Sequence, residues 1–193
     1  MPTEIEVKFH VSSFGPVEDA LRMHATKRLG RSLQTDTFFD TSDRRLFHAD
    51  CGLRLRVAEN LDGAKSHKAL LTYKGPQAKG AKTKQRMEIQ TALDDPGAIA
   101  EIFKHAGLLP SLVLQKRRTA YALGGCEVLL DELPALGLFV EIEGPNEPEI
   151  WKVRDLLGLT EESIKTPYSQ LAEEYCLKKG LDGKTFTFEK FGV

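Results

Sequence analysis

Glu4-Ile5-Glu6-Val7-Lys8, near the start of the chain, and Glu141-Ile142-Glu143, near its end, share one alternation. Residues two apart in a strand point to the same face, so Glu4, Glu6 and Lys8 form a charged row with Ile5, Val7 and Phe9 as the apolar row behind it. A solvated surface strand alternates in the same way, and one such triplet decides little. Repetition decides more. Arg54 and Arg56 share a side in Leu53-Arg54-Leu55-Arg56-Val57, as do Lys84, Arg86, Glu88 and Gln90 a little later. Lys116-Arg117-Arg118 and Leu129-Leu130-Asp131 continue the pattern. Arg and Lys dominate the middle strands, Glu and Asp the first and last. That sorting is expected of strands curled into a closed barrel with a polar, charged lumen suited to a strongly anionic ligand.

Length and composition fit one domain spanning 1–193, with 41% hydrophobic residues to build its core. The barrel is expected over about 3–145, C-terminal helices over about 146–180 and a tail over 181–193. A net charge of −1 argues against a general nucleic-acid surface, so any positive potential must be local. Cys51, Cys126 and Cys176 are odd in number, far apart and without metal-ligand spacing, which points to a reducing cytoplasm. Glu4 and Glu6 occupy the place of a basic leader segment, and no apolar run approaches membrane-spanning length, so no membrane partner is expected.

The first strand reads as about 3–10, followed from Ser12-Ser13 by a helix that Gly30 is expected to end. Strands are expected at 34–40, 52–58, 67–74, 84–91, 112–122, 126–132 and 138–144, the turn Gly124-Gly125 making a hairpin. Asp95-Pro96 starts a helix that stops at Gly107, and the pattern turns helical again after Pro145, with a last helix over about 169–179. The connection from Gly75 to Lys84, with Lys79 and Lys82, is basic and reads either as a lid over a bound anion or as a solvated linker.

In order along the chain, these motifs resemble the CYTH family, the triphosphate tunnel metalloenzymes. Glu4, Glu6 and Lys8 match its Glu-x-Glu-x-Lys signature, followed by Phe39-Asp40-Thr41, Leu53-Arg54-Leu55-Arg56, Thr72-Tyr73-Lys74-Gly75 and Arg86-x-Glu88. Lys116-x-Arg118, Asp131 in Leu-Asp-Glu, and Leu136 to Glu143 complete the set, which covers roughly 4–175. Phe38 or Phe39 stands where many members carry Tyr, and Pro167-Tyr168-Ser169 only approximates the family's Ser-Tyr segment. The resemblance implies an α+β fold: a closed eight-stranded antiparallel β-barrel, the tunnel, with helices packed outside.

Charge type then assigns roles. Lys8, Arg54, Arg56, Lys74, Arg86, Lys116 and Arg118 would grip the oxygens of a triphosphate substrate. Carboxylates repel phosphate, so Glu4, Glu6, Asp131, Glu141 and Glu143 make sense beside it with divalent cations between, and all-oxygen ligands point to Mg²⁺ or Mn²⁺. Glu88 joins this set or pairs with Arg86. Glu4, Glu6, Lys8 and Glu143 are the catalytic candidates. In the two-cation mechanism the family suggests, one cation bridges phosphates and the other acidifies an attacking water for in-line displacement. Internal salt bridges of a purely structural barrel are the competing account, at the cost of burying many ions. His10 continues the Glu4 row, but a lone His is more often structural; Cys126 reads as core and Trp151 as exterior packing.

Three activities fit: a triphosphatase acting on inorganic, thiamine or nucleoside triphosphate; a class IV adenylyl cyclase making cyclic AMP and pyrophosphate; and a noncatalytic polyphosphate-binding module. The carboxylates disfavour the module. A monomer or homodimer is expected.

Overall fold

The computed structural model describes residues 3–24, 26–64, 66–78, 80 and 83–193. The charged rows lie on β1 (Thr3–Val11), β3 (Gly52–Asn60), β4 (His67–Gln77), β5 (Lys84–Leu93), β6 (Leu109–Leu123), β7 (Cys126–Leu133) and β8 (Gly137–Glu143). With β2 (Lys27–Asp40) they form a sheet in the order β2-β3-β4-β5-β1-β8-β7-β6, and β2 pairs with β6 to close it. Every barrel pairing is antiparallel. The fold is the expected closed eight-stranded barrel. Among the helices are α1 (Gly15–Met23), α2 (Arg45–His48), α3 (Pro96–His105), α4 (Glu147–Leu156) and α5 (Tyr168–Lys179).

Alternation sorts the barrel wall into two faces. The odd-numbered residues Val7, Phe9 and Val11 of β1 face outward, and with Val128, Leu130, Val140 and Ile142 they bury α1 and α4 through Val17, Leu21, Ile150 and Val153. Each such side chain contributes about 1.5–3 kcal/mol. Gly144 sits in the tightest part of this layer: a Cβ there would lie 2.7 Å from Cys126 Sγ and 2.8 Å from Ile150 Cγ1. Gly144→Ala should therefore destabilise the protein by about 1–3 kcal/mol in urea unfolding, whereas Gly183→Ala, with nothing within 4 Å, should not.

Two expected boundaries move. The first helix stops at Met23, seven residues before Gly30, because the Thr26 amide and hydroxyl both take the Leu21 carbonyl, at 3.2 and 3.0 Å. β2 is therefore twice the expected length, and Gly30 lies inside it, at φ +148, beside the register shift between Arg28 and Gly30. The expected tail instead carries β9 (Thr185–Phe186) and α6 (Phe188–Phe191). β9 pairs in parallel with Val113 and Leu114 of β6, beyond the end of the β6–β7 ladder, and Phe186 is fully buried with Leu112, Leu114, Ala172 and Cys176. Arg117, on the outer face, bonds Glu132 at 3.0 Å and lies 3.8 Å over the Phe188 ring, fastening this segment. The basic connection after Gly75 is paired as far as Gln77, opposite Arg86. Lys79 and Lys82, which the lid reading relied on, lie outside the described residues.

Candidate active site in the barrel lumen

The inner rows surround a cavity of about 540 Å³. Because β1 pairs with β8, Glu6 stands opposite Glu143 and Lys8 opposite Glu141, so the two acidic rows read from the sequence are neighbours. β5 on the other side places Lys84 opposite Glu6 and Arg86 opposite Glu4. Glu4, Glu6 and Glu143 each bring a carboxylate oxygen to within 4.8 Å of the others. Like charges that close need cations, and the chain supplies some: Lys84 bonds Glu6, and Lys74 reaches Glu4 at 2.5 Å and Glu88 at 2.7 Å. Glu88 thus pairs with Lys74 rather than Arg86.

Asp131 and Glu141 stand apart from this cluster. Asp131 is 0% exposed and accepts both bonds of the Arg118 fork, the Nε bond at 2.6 Å, as well as the Lys116 ammonium at 2.9 Å. Glu141 bonds Arg118 and lies 3.8 Å from Lys8. Their oxygens orient the cations that face the cavity. Burial pushes the Glu141 carboxyl up, but Lys116, Arg118 and Lys8 outweigh it and hold it well below the usual range. Glu143 goes the other way. Burial, with Glu6 and Glu141 adding repulsion against the pull of Arg118, raises it to about 7, although its side chain keeps 31% of its exposure.

The phosphate-gripping candidates divide in the same manner. Lys8, Arg54, Arg56, Lys74, Lys116 and Arg118 all line the cavity. Lys8 donates to the Thr166 carbonyl at 2.7 Å and lies 4.1 Å over the Tyr168 ring, with Lys116 4.9 Å from the same ring. Arg86 also lines the cavity, yet its fork is committed to the Gly75 carbonyl at 2.7 Å and the Asp50 carbonyl at 2.5 Å, which ties the segment after α2 to β4. Outside the cavity's charge set, His10 is exposed and packs edge-on against Phe139, while Cys126 is buried in the outer core.

Asp36, Lys84 and Tyr168 are among the lumen residues not assigned from the sequence. Asp36 accepts both bonds of the Arg56 fork, at 2.6 and 2.7 Å, and lies 3.8 Å from Arg54. Burial raises its carboxyl, but Arg56 and then Arg54 outweigh that and hold it well below the usual range. Lys84 shares the Arg86 row by simple alternation, a signal already present in the sequence. Tyr168, at the start of α5, gave none, since its place over two ammonium groups depends on how the C-terminal segment returns to the barrel.

Buried cations beside other cations lose protons easily. Burial, then Arg118, lowers Lys116 to about 8 against the pull of Asp131. At pH 9 a fraction of Lys116 is neutral, and a bound polyanion would restore its charge. Triphosphate binding at pH 9 should therefore take up protons, and less so at pH 7; calorimetry in buffers of different ionisation enthalpy measures this directly. Equal proton uptake at both pH values would contradict the Lys116 assignment.

The CYTH domain model matches residues 2–172, and the chain belongs to the CYTH family. It is 30% identical over 140 residues to a protein of Methanocaldococcus jannaschii named putative adenylate cyclase MJ0240, covering 72% of this chain and 75% of that one. Among solved structures it is similar to the PH1819 protein of Pyrococcus horikoshii, with TM-score 0.76 and 25% identity over 89% of this chain and 99% of the other. The fold is also shared, at TM-score 0.64 and 18% identity, with HpAC1 of Hippeastrum, described as a putative adenylyl cyclase with a dominant triphosphatase activity; 92% of this chain and 96% of that one are covered.

Proposed function

We propose that the chain is a divalent-cation-dependent triphosphatase that cleaves inorganic, thiamine or nucleoside triphosphate by in-line attack of water. The observation that carries this reading is the pairing of a lysine and arginine wall with the three-carboxylate cluster of Glu4, Glu6 and Glu143 around one cavity. The cluster offers only hard oxygen donors, and its carboxylates lie close enough to share one ion, which fits Mg²⁺ or Mn²⁺. A divalent cation held there would offset phosphate charge and lower the pKa of water.

The remaining work falls to the chain itself. Asp36 and Asp131 hold the forks of Arg56 and Arg118 in fixed orientation, so those guanidinium groups meet a transferring phosphoryl group without reorganising. Lys8 and Lys116 add point charges from the same side of the lumen. No nucleophilic side chain is needed. The location we propose is the cytoplasm, where Cys51, Cys126 and Cys176 would stay as the free thiols they are here. Among the described residues no helix is long and apolar enough to cross a membrane. A monomer or homodimer without nucleic acid is the proposed working form.

A second reading, class IV adenylyl cyclase, is favoured by the name of the M. jannaschii relative. Incubating the protein with ATP, tripolyphosphate and thiamine triphosphate in Mg²⁺ or Mn²⁺, then resolving orthophosphate, pyrophosphate and cyclic AMP, separates the two. Orthophosphate is the expected product; cyclic AMP with pyrophosphate would overturn the hydrolase reading.

A further inference from the structure

Lys84 carries its charge into the lumen from the end of a ladder. It stands opposite Glu6 at the last rung of the β1–β5 pairing, and its ammonium bonds Glu6 with 10% of the side chain exposed. Thr83, one residue further out, is nevertheless only 2% exposed. Its amide and its hydroxyl both donate to Glu147 Oε1, at 3.1 and 2.7 Å. Gln85 Nε2, on the other side of Lys84, donates to the same oxygen at 3.2 Å and to Thr83 Oγ1 at 3.1 Å. Both neighbours of Lys84 are thus pinned on the outer side of the wall, and strand alternation turns Lys84 inward. The pin has a rigid mount. Glu147 is the first residue of α4, where the helix dipole favours its carboxylate, and α4 is fastened to the barrel by Ile150 and Val153, both 0% exposed.

We propose that Glu147 is a positioning residue: through Thr83 and Gln85 it holds Lys84 in the lumen against Glu6, and so sets the balance of charge that the site offers to a cation and to a polyanion. The inference rests on the triphosphatase reading, in which the cluster of Glu4, Glu6 and Glu143 takes a divalent cation and the lumen cations take the triphosphate. Lys84 acts on these two ligands with opposite signs. Its ammonium offsets the charge of Glu6, which weakens the pull of the cluster on a divalent cation, and it adds positive charge to the wall that a polyanion meets. Released from Glu147, the end of β5 lets Lys84 withdraw from the lumen, so cation binding strengthens as polyanion binding weakens. Two other effects of losing Glu147 carry different signatures. The carboxylate's own field attracts cations and repels anions, so its removal shifts both ligands the opposite way, and a general loosening of the site weakens both.

Calorimetry on the full chain, with Mn²⁺ alone and with tripolyphosphate in EDTA, reads the two affinities apart from turnover. Glu147→Ala should tighten Mn²⁺ and weaken tripolyphosphate, each on the order of 3- to 10-fold. Lys84→Met should move both ligands in the same directions at least as far, and adding Glu147→Ala to it should move neither further. Glu147→Gln keeps an acceptor oxygen without the charge and should stay close to the wild type. Thr83→Val, equal in size and milder, should shift both ligands as Glu147→Ala does, whereas Thr83→Ser, which keeps the hydroxyl, should not; this pair decides the matter if the alanine variant fails to fold. Unchanged affinities in Glu147→Ala and Thr83→Val, a loss of both affinities, or shifts that persist undiminished on Lys84→Met would overturn the assignment. Weaker Mn²⁺ with tighter tripolyphosphate would overturn it too, since that is the mark of the Glu147 field alone. Failure of the wild type to bind one or both ligands would instead remove the triphosphatase reading, and the inference with it.

Discussion

Glu143→Gln is expected to cut cation-dependent triphosphate turnover on the order of 100-fold or more, while melting no lower than the wild type at pH 8 without metal. Both effects come from one fact: Glu143 is the carboxylate whose charge the fold resists. Its folded pKa of about 7 lies above the ordinary 4.5, so the folded protein binds the extra proton between those values. Stability contributed by this group therefore falls as pH rises from about 4.5 to 7, and the full penalty stands above 7. The Gln side chain carries no such penalty, and at pH 5 the two proteins should melt alike. Glu6→Gln makes the contrast. Glu6 holds Lys84, and that pairing outweighs burial to raise the Lys84 pKa, so the Gln variant strands a buried ammonium and should melt lower. Scanning calorimetry at pH 5 and pH 8, with turnover at saturating Mn²⁺, checks all of this. Full turnover in Glu143→Gln would end the metal role, and equal melting losses in both variants would end the charge assignment.

Asp131→Ala should be the most damaging single substitution in the lumen. The carboxylate is 0% exposed and satisfies Arg118 through both oxygens and Lys116 through one. Its removal leaves two buried cations facing each other, at a cost of about 3–5 kcal/mol, or roughly 10 °C in the melting midpoint for a chain of this size. Asp131→Asn keeps the shape and loses the charge, and should fall between. Thermal unfolding gives the comparison. A midpoint within about 2 °C of the wild type in Asp131→Ala would show that the cations do not depend on this carboxylate, and would return Asp131 to the metal set read from the sequence.

What the sequence disclosed, and what it withheld, follows from the length scale of each signal. Glu4, Glu6 and Lys8 could be placed on one face because alternation is a property of consecutive residues. Their contact with the Glu141 row followed once the barrel was taken to close, since the first and last rows then needed neighbours. The division of the carboxylates did not follow. Whether a carboxylate meets a cation from the chain or one from solution depends on cross-strand register, which set Arg118 against Asp131 and left Glu143 beside Glu6. Asp36 sits among threonines in Thr35-Asp36-Thr37, a polar stretch that only acquires meaning opposite Arg56. The first half of β2 lacked clean alternation in Lys27-Arg28-Leu29-Gly30, and the bulge there explains why. Phe186 and Phe188 looked like tail residues because their partners, Leu114 and Arg117, lie some seventy positions earlier in the chain.

The seam between β2 and β6 carries a kinetic consequence. Lys27 lies opposite Ala122 and Asp40 opposite Leu109, so the ring cannot shut until segments far apart in the chain have met. β1 waits longer still, since its partner β8 comes after every other wall strand. Such non-local pairing must lose loop entropy before any contact repays it, which places this chain among slow folders. On a ribosome, Glu4 and Glu6 would be exposed for most of synthesis, with no wall of lysine and arginine around them. The ion pairs that Glu4 and Glu6 make with Lys74 and Lys84 are thus products of late closure, and they favour staying shut more than they help the ends find each other, whereas Asp36–Arg56 and Asp131–Arg118 join hairpin neighbours.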